Sequence, residues 1–290
     1  MLASPLVTPT WLQEQLSRTD LMILDASLYL PNEPQVADEI YRQQHLPGAL
    51  RFDIEHFSDP DTSLPHMVPS VGRFARLAGE LGVTPDTFIV VYDQKGLFSA
   101  ARAWWLFRLF GHERIAVLDG GLPLWRNLGL PLEAGENHAE PQPAYPTALN
   151  YRLLCGLGDV QTALSVGQTQ VLDARGAKRF AGEVAEPRPG VAPGHMPGSL
   201  NLPYDSLLNA DGTLLLPQEL RQRFQALGVD GLHPVIASCG SGVTAAVLLL
   251  ALNVAGLPDG RLYDGSWSEW GQHPSTTKAL GHDQISSGSS

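Results

Sequence analysis

Four segments in the first half of the chain recur in the same order in the second half. The pairs are LDASLYL with LDARGAKRF, HLPGAL with HMPGSL, LGVTPDTFIVVYD with LGVDGLHPVIASC, and LDGGLPLW with YDGSWSEW. Matching positions lie 145 to 150 residues apart, so that Asp93, at the end of the third segment, corresponds to Cys239. This period is much longer than that of solenoid repeats, so each copy is expected to fold around its own core. The repeat therefore predicts two domains of one fold.

The domain boundaries follow from the segment between the copies. Residues 132–150 are mostly polar and contain prolines at 141, 143 and 146. This composition is typical of a linker. We therefore predict a first domain over residues 1–131 and a second over residues 151–275. The residues of the last segment, 276–290, are mostly small or polar and show no periodicity. This segment is predicted to be a disordered tail or the remainder of an expression tag.

Short apolar segments alternate with helical ones in both copies. The predicted strands are MILDA, FIVVYD and IAVLD in the first copy, and QVLDA, VIASC and GRLYD in the second. Helical patterns cover residues 99–110 and 219–227, among others. This alternation predicts an α/β fold in which each domain has a parallel sheet flanked by helices on both faces. Aspartate or cysteine ends several strands, so the binding site is expected at the carboxyl edge of a sheet.

The composition excludes several classes of partner. The formal net charge of −11 disfavours nucleic acids and anionic lipids, and it means that an anionic substrate needs a local basic pocket. No segment approaches the ~18 uninterrupted apolar residues of a membrane span. The first residues lack the basic and apolar regions of a secretory signal. The 2 cysteines in 290 residues suggest neither disulfides nor a metal site, so a cytoplasmic protein without metal is predicted.

The segment VIASCGSGVTAAVLLLAL, residues 235–252, places Cys239 between a buried strand and a buried helix. Gly240 and Gly242 permit backbone angles at which several N–H groups point to the centre of the turn. A thiolate at the start of a helix, ringed by such donors, is stabilised and nucleophilic. Cys239 is therefore predicted to be the nucleophile. Cys155 has no comparable context and is predicted to be structural.

Two cysteine chemistries use a loop of this kind. Cysteine phosphatases close the loop with an arginine six residues after the cysteine, which grips phosphate with two parallel hydrogen bonds. Here that position is Ala245, and residues 240–252 contain neither lysine nor arginine. A cysteine that carries sulfur as a persulfide needs only the N–H donors, provided that other residues neutralise the substrate. The sequence therefore favours sulfur transfer over phosphate chemistry.

The chain up to about residue 275 resembles the two-domain rhodanese superfamily. The matching segments are long: RQQHLPGALRFDIEHFSDPDTSLPHMVP, SAARAWWLFRLFGHERIAVLDGGLPLWR and DARGAKRFAGEVAEPRPGVAPGHMPGSLN. CGSGVTA, from Cys239, is similar to the active loop of the branch that uses 3-mercaptopyruvate, whereas thiosulfate-preferring relatives carry basic residues at Gly240 and Ser241. The resemblance implies two rhodanese-like domains, a persulfide-forming active site between them, and an inert first domain with Asp93 in place of the cysteine.

The resemblance also implies how the substrate is held. Arg179 and Arg188 match two arginines that bind its carboxylate and keto groups, and the planar guanidinium suits both. The loop residues implied in binding are Gly240, Gly242, Val243 and Thr244. Asp173 and Arg175, in the same segment, are interpreted as a structural ion pair.

A proton relay is the third implication. Ser241, two residues after the nucleophile, is predicted to act with His66 of the first domain, because some relatives have a serine–histidine–aspartate triad. Glu55 stands at the expected carboxylate position, and Asp53 is the alternative third member.

Together these features predict an enzyme that takes the sulfur of 3-mercaptopyruvate onto Cys239, releases pyruvate, and passes the sulfur to a thiol. The acceptor is expected to be a small thiol or a reducing protein such as thioredoxin, and no metal or organic cofactor is implied. Three alternatives stay open: a thiosulfate:cyanide sulfurtransferase, a cysteine phosphatase and a non-catalytic sulfur-binding module. The sequence does not specify the physiological acceptor or the oligomeric state.

Overall fold

The computed structural model describes residues 4–30 and 32–281. Within these residues each copy of the repeat builds one five-stranded parallel sheet. The strands are β1 (Leu6–Val7), β2 (Leu21–Asp25), β3 (Leu50–Arg51), β4 (Phe88–Tyr92), β5 (Ile115–Leu118), β6 (Leu154–Cys155), β7 (Gln170–Asp173), β8 (Leu200–Asn201), β9 (Val235–Ser238) and β10 (Arg261–Tyr263). Their orders are β1-β5-β4-β2-β3 and β6-β10-β9-β7-β8, which is one topology used twice.

Helices connect the strands in both domains. They are α1 (Pro9–Gln15), α2 (Ala37–Gln43), α3 (Val71–Glu80), α4 (Ala100–Leu109), α5 (Gly121–Asn127), α6 (Leu157–Val166), α7 (Ala177–Phe180), α8 (Pro217–Ala226), α9 (Ala245–Val254) and α10 (Ser266–Trp270). Their starts follow ordinary capping rules: the Ser70 hydroxyl accepts the Arg73 N–H before α3, and Pro217 opens α8. In the described part of the chain, no helix is long and apolar enough to cross a membrane.

Helices cover both faces of each sheet. The apolar residues of the strands therefore alternate between two hydrophobic cores, one on each face. On the face between the two sheets, α3 and α4 of the first domain and α8 and α9 of the second contribute to one continuous core. On the outer faces, α1 and α5 cover the first sheet, and α6 and α10 cover the second. Helices α4 and α9 contact each other, so the apolar helices that follow the two central strands form the interdomain interface.

The predicted α/β fold is confirmed, and all six predicted strands form. Four further strands, β1, β3, β6 and β8, were not predicted, because two residues are too few to show an alternating pattern. The predicted helices correspond to α4 and α8, with ends that differ by one or two residues.

In the described residues, the linker and the beginning of the predicted tail are both held against a domain. Residues 132–150 lie along the first domain: Glu133 pairs with His45, and the N–H of Tyr145 donates to Ala75. In the predicted tail, Ala279 pairs with His195 and the Thr276 side chain is buried, so the second domain extends past residue 275 to at least 281. Backbone hydrogen bonds hold residues 279 and 281 against the second domain. Amino-acid composition does not reveal such bonds. The rest of the predicted tail, residues 282–290, lies outside the described residues.

Candidate active site

The Cys239 loop joins the central strand β9 to helix α9 at the carboxyl edge of the second sheet. Cys239, Ser241 and Val243 are buried, and Thr244 is the N-cap residue that precedes α9. Gly242 has a φ of +76°, a left-handed conformation that favours glycine at this position. The strand-to-helix turn predicted from the sequence is therefore present around Cys239.

The turn between β10 and α10 holds this loop from behind. The Cys239 N–H donates to the Ser266 hydroxyl at 3.2 Å, and that hydroxyl donates to the Tyr263 carbonyl at 2.8 Å. The Trp267 N–H donates to the Cys239 carbonyl at 3.0 Å, and the Ser268 N–H donates to the Gly240 carbonyl at 2.8 Å. These bonds fix the peptide planes on both sides of the cysteine.

The matching loop of the first domain shows what this backbone shape can hold. One carboxylate oxygen of Asp93 accepts the N–H groups of Phe98, Ser99 and Ala100 at 2.7 to 2.9 Å, and its second oxygen accepts that of Lys95 at 2.9 Å. The loop is therefore an anion cradle filled by its own side chain. One period along the repeat, the cradle positions fall on Ser241, Thr244, Ala245 and Ala246.

Arg179 lies directly over the Cys239 loop. A Cβ at Gly240 would lie 2.9 Å from the Arg179 Nη2, so the missing side chain at 240 leaves room for the guanidinium. The same Nη2, together with Nε, donates to the Glu186 carboxylate, whose side chain is only 4% exposed. Glu186 also accepts from Arg175 at 2.9 Å, and Arg175 forms the predicted ion pair with Asp173 at 2.7 Å. A buried network thus sets the position of Arg179.

Arg188 meets residues of the first domain. Its Nη2 lies 3.2 Å from the His66 Nε2, and the His66 Nδ1 lies 3.0 Å from a Glu55 carboxylate oxygen. Because a guanidinium N–H can only donate, Nε2 is the acceptor and the ring proton is on Nδ1. That proton does not point directly at the Glu55 oxygen, so this contact is electrostatic rather than a well-directed hydrogen bond.

The structure does not bring His66 to Ser241. In the described residues, no hydrogen bond joins the two side chains, since the His66 Nε2 faces Arg188 instead. The carboxylate beside His66 is Glu55, whereas the Asp53 side chain accepts the Glu55 N–H at 3.0 Å and so caps its own turn. Of the expected relay, the structure therefore places Glu55 beside His66 but does not join His66 to Ser241.

The pKa values of three groups, Glu55, Arg188 and Cys155, differ from their ordinary values. The contact with His66 and the charge of Arg188 lower the pKa of Glu55, which keeps it ionised. Burial lowers the pKa of Arg188, but an arginine remains charged at neutral pH. Burial raises the pKa of Cys155 to about 12, so this thiol is not a nucleophile at neutral pH. Cys155 thus behaves as the structural cysteine that was predicted.

Several residues around the site were missed by the sequence analysis, namely Arg102, Glu186, Asp264, Ser266 and Ser268. Arg102 had a detectable signal, because it is a charged residue within the apolar helix AARAWWLFRL, and a buried charge requires a partner. Asp264, Ser266 and Ser268 act over long sequence separations, whereas Glu186 pairs with arginines 7 and 11 residues away; a single sequence reveals neither kind of contact. In the described residues, no group of three or more His, Cys, Asp or Glu side chains is arranged to hold a metal ion.

Comparison with known proteins agrees with this geometry. The rhodanese-like domain family matches residues 8–128 and 157–273. The 3-mercaptopyruvate sulfurtransferase of Escherichia coli K12 is 45% identical over 263 residues, covering 90% of this chain and 92% of that protein. Thiosulfate/3-mercaptopyruvate sulfurtransferase 1 of Arabidopsis thaliana, a mitochondrial protein, is 40% identical, covering 94% and 77%.

A solved structure extends the similarity to three dimensions. The crystal structure of Escherichia coli SseA, a 3-mercaptopyruvate sulfotransferase with the rhodanese fold, has a TM-score of 0.83 at 41% identity, and the match covers 92% of this chain and 100% of that one. The predicted tandem of two α/β domains with one cysteine-bearing loop is therefore confirmed. The chain belongs to the rhodanese-like family, with two rhodanese-like domains.

Proposed function

We propose that the protein is a sulfurtransferase that moves the sulfur of 3-mercaptopyruvate, through a persulfide on Cys239, to a thiol. The observation that carries this proposal is the position of Arg179 over Gly240, beside the cysteine loop. It supplies a cationic group for a keto acid at the place where a thiosulfate-type loop would carry its own basic side chain. The high identity to enzymes named for 3-mercaptopyruvate supports the same substrate.

The first half-reaction transfers one sulfur atom. The Cys239 thiolate attacks the thiol sulfur of the substrate, and an S–S bond forms while the bond between that sulfur and C3 breaks. The electron pair of the broken bond moves onto C3 and is delocalised over the adjacent keto group as an enolate. The proton released from the substrate thiol is returned to C3, which gives pyruvate and a deprotonated Cys239 persulfide.

Backbone N–H groups are expected to stabilise the persulfide. In the Asp93 loop the donors to the carboxylate belong to positions that match Ser241, Thr244, Ala245 and Ala246, and Thr244 is also in the predicted binding set. Gly240, Gly242 and Val243 shape the loop and provide the space beside it. Preorganised donors of this kind stabilise developing charge without further rearrangement.

Arg179 and Arg188 bind the keto acid. Arg188 lies against His66 in the free enzyme, and a substrate carboxylate that takes over the Arg188 donors removes that contact from the His66 Nε2. His66 would then be available, with Ser241 and Glu55, to return the proton to C3. In this proposal, binding of the substrate carboxylate to Arg188 makes His66 available to the relay.

The second half-reaction needs a thiol acceptor. A thiolate attacks the outer sulfur of the persulfide, and the Cys239 thiolate leaves. Both cysteines are free, which agrees with a reducing compartment such as the cytoplasm. A small thiol or a reducing protein such as thioredoxin has the required chemistry.

Thiosulfate is the alternative donor, as the name of the Arabidopsis relative suggests for that protein. It is a compact dianion whose charges lie next to the attacked sulfur, where this loop offers one hydroxyl and backbone dipoles. We therefore expect kcat/KM to favour 3-mercaptopyruvate by at least ~10-fold, which requires only ~1.4 kcal/mol of differential transition-state stabilisation.

Intact-protein mass spectrometry after incubation with each donor tests the proposal directly. Addition of one sulfur atom, lost again on addition of a thiol, is expected with 3-mercaptopyruvate, and pyruvate should appear in equal amount. Steady-state rates with both donors then measure the preference. Equal or better efficiency with thiosulfate would refute the choice of donor, and an absence of any added sulfur would refute sulfur transfer altogether.

A further inference from the structure

Arg102 is a buried arginine of the inert domain that reaches the active-site loop of the other domain. It belongs to α4, and its side chain is 2% exposed. Its Nη1 donates to the Gly242 carbonyl at 3.3 Å, and its Nη2 donates to the Asp264 carboxylate at 2.7 Å and to the His66 carbonyl. One guanidinium therefore connects the cysteine loop, the turn behind it and the histidine beside Arg188.

Two of these three contacts are made at residues with a positive φ. Gly242 has a φ of +76°, and His66 has a φ of +59°, which is uncommon for a residue with a side chain. The second Asp264 oxygen accepts the Val68 N–H at 2.7 Å, so the arginine and the aspartate together fix the segment that carries His66. Backbone conformations of this kind persist only when several surrounding contacts determine them.

The repeat shows that this arginine is not required by the fold. In the inert half, Asp119 corresponds to Asp264 and accepts the Leu214 N–H at 2.8 Å, which reproduces the contact between Asp264 and Val68. One period along the repeat, the position of Arg102 is occupied by Leu248, a buried apolar residue. The same architecture is thus built once with leucine and once with arginine.

Keeping a buried arginine has an energetic cost that an apolar residue avoids. Removing a charge from water costs several kcal/mol unless partners compensate for it, and buried ion pairs often add little net stability. The Arg102 guanidinium stacks on the Trp105 ring at 4.6 Å in addition to its three acceptors. The asymmetry between the halves therefore points to a role in the site rather than in folding.

We propose that Arg102 is a positioning residue for sulfur transfer. By holding the Gly242 carbonyl it fixes the direction of the loop N–H groups around the Cys239 sulfur. By holding the His66 carbonyl it fixes the imidazole against Arg188 and Glu55. The inert domain thereby contributes to catalysis through a residue that does not touch substrate, a role that rests on the proposed function.

Arg108 provides a matched control on the same helix. It also forms a cross-domain ion pair, with Asp259 at 3.0 Å, and it also stacks on an indole ring, that of Trp104, at 4.7 Å. It makes no contact with the loop, with His66 or with Asp264 in the described residues. Replacing either arginine removes one interdomain ion pair, but only one replacement releases the loop.

The experiment compares R102M, R102K and R108M with the unmodified protein. Each is mixed with saturating 3-mercaptopyruvate, quenched with acid and analysed by intact mass, which gives the single-turnover rate of persulfide formation. The donor concentration at half-maximal rate and the thermal midpoint are measured in parallel. R102K keeps a charge opposite Asp264 but cannot hold Gly242 and His66 at the same time.

We expect R102M to lower the saturating rate by about 10- to 100-fold, as small misplacements of reacting groups do, with little change in the half-saturating concentration. R102K should be intermediate, and R108M should keep the unmodified rate even if its thermal midpoint falls as much. If R102M and R108M have equal saturating rates, the positioning role is wrong. If R102M does not fold, an unmodified rate in R102K leads to the same conclusion. If the unmodified protein itself gains no sulfur, the proposed function is what fails.

Discussion

The loops that begin at Asp93 and Cys239 share a backbone pattern and differ in the side chain at the centre. In the first domain the Asp93 carboxylate accepts four backbone N–H groups and is fully enclosed by its own chain. In the second domain the same position carries a thiol, which is neutral when protonated and can take on an extra sulfur. The two loops therefore present the same kind of backbone to different central groups, a carboxylate in one and a thiol in the other.

The surroundings of the two loops differ as well. Beside the Asp93 loop, Lys95 forms an ion pair with Glu33 and lies over two aromatic rings. Its charge is therefore neutralised within the first domain. Beside the reactive loop, Arg179 and Arg188 border the space in front of the cysteine. In the proposed reaction, the loop carries the sulfur atom and the two arginines bind the keto acid.

Replacing the nucleophile should have the largest effect. Cys239→Ser is expected to reduce sulfur transfer from any donor to background, because a hydroxyl neither ionises at neutral pH nor forms a persulfide. Cys155→Ser should retain turnover, since that thiol is buried and protonated. Donor turnover and added mass measure both. Activity in the Cys239 variant together with its loss in the Cys155 variant would contradict the assignment.

A cysteine moved to the other loop tests whether the loop suffices. Asp93→Cys combined with Cys239→Ser should remain inactive with 3-mercaptopyruvate, because the arginines face the second loop. Restored turnover would show that the cations are dispensable.

Removing the cations should have the next largest effect. Arg179→Ala and Arg188→Ala are each expected to raise KM for 3-mercaptopyruvate by about 10- to 100-fold, as the loss of ~1.5 to 3 kcal/mol of charge-assisted hydrogen bonding would do. Lysine at either position should recover only part, since a point charge does not reproduce the guanidinium geometry.

Lys95→Ala is the control for these arginine variants. It removes a positive charge beside the Asp93 loop, away from the proposed substrate site. KM for 3-mercaptopyruvate should therefore not change. If KM is unchanged in all three alanine variants, Arg179 and Arg188 do not bind the substrate.

Substitutions at the central residue of each loop should change the thermal midpoint in opposite directions. Asp93→Asn replaces a charged acceptor by an amide whose NH2 faces N–H donors, and we expect the thermal midpoint to fall by roughly 3 to 8 °C. Cys239→Asp places a carboxylate in the matching cradle and should melt above Cys239→Ser, although neither is active. If Cys239→Asp instead melts below Cys239→Ser, the second loop does not share the cradle geometry of the first.

The fold was predictable because its signal is repeated and local. The sequence pattern of one sheet occurs twice in the chain. Buried strands such as FIVVYD are recognisable from their apolar composition alone. The two-residue strands, and the packing of residues 276–281 on the second domain, were not predictable, since backbone hydrogen bonds define them and any side chain can provide those.

The site was predictable in part for a related reason. Cys239 and the two arginines follow from the motif and its matched segment. The contact of His66 with Arg188 instead of Ser241, and the reach of Arg102 across the interface, depend on how two domains dock. One copy of the repeat carries no information about the side chains that the other copy places against it.

The smallest expected effect concerns the aspartates that link the domains at corresponding positions. Asp264 is paired with Arg102, whereas burial raises the pKa of Asp119 from 3.8 to about 6, with Asp211 adding to the rise. The folded state therefore favours protonated Asp119, and its contribution to stability is full below pH 3.8 and is lost as the pH rises through 6. Asp119→Asn keeps an oxygen that can accept the Leu214 N–H and cannot ionise, so its thermal midpoint should match the unmodified protein at pH 4 and exceed it at pH 8. Because Asp119 is partly exposed, we expect a difference on the order of 1 to 3 °C. Thermal melts across pH 4 to 8 measure it, and a midpoint difference that is the same at every pH would show that Asp119 does not titrate as its burial requires.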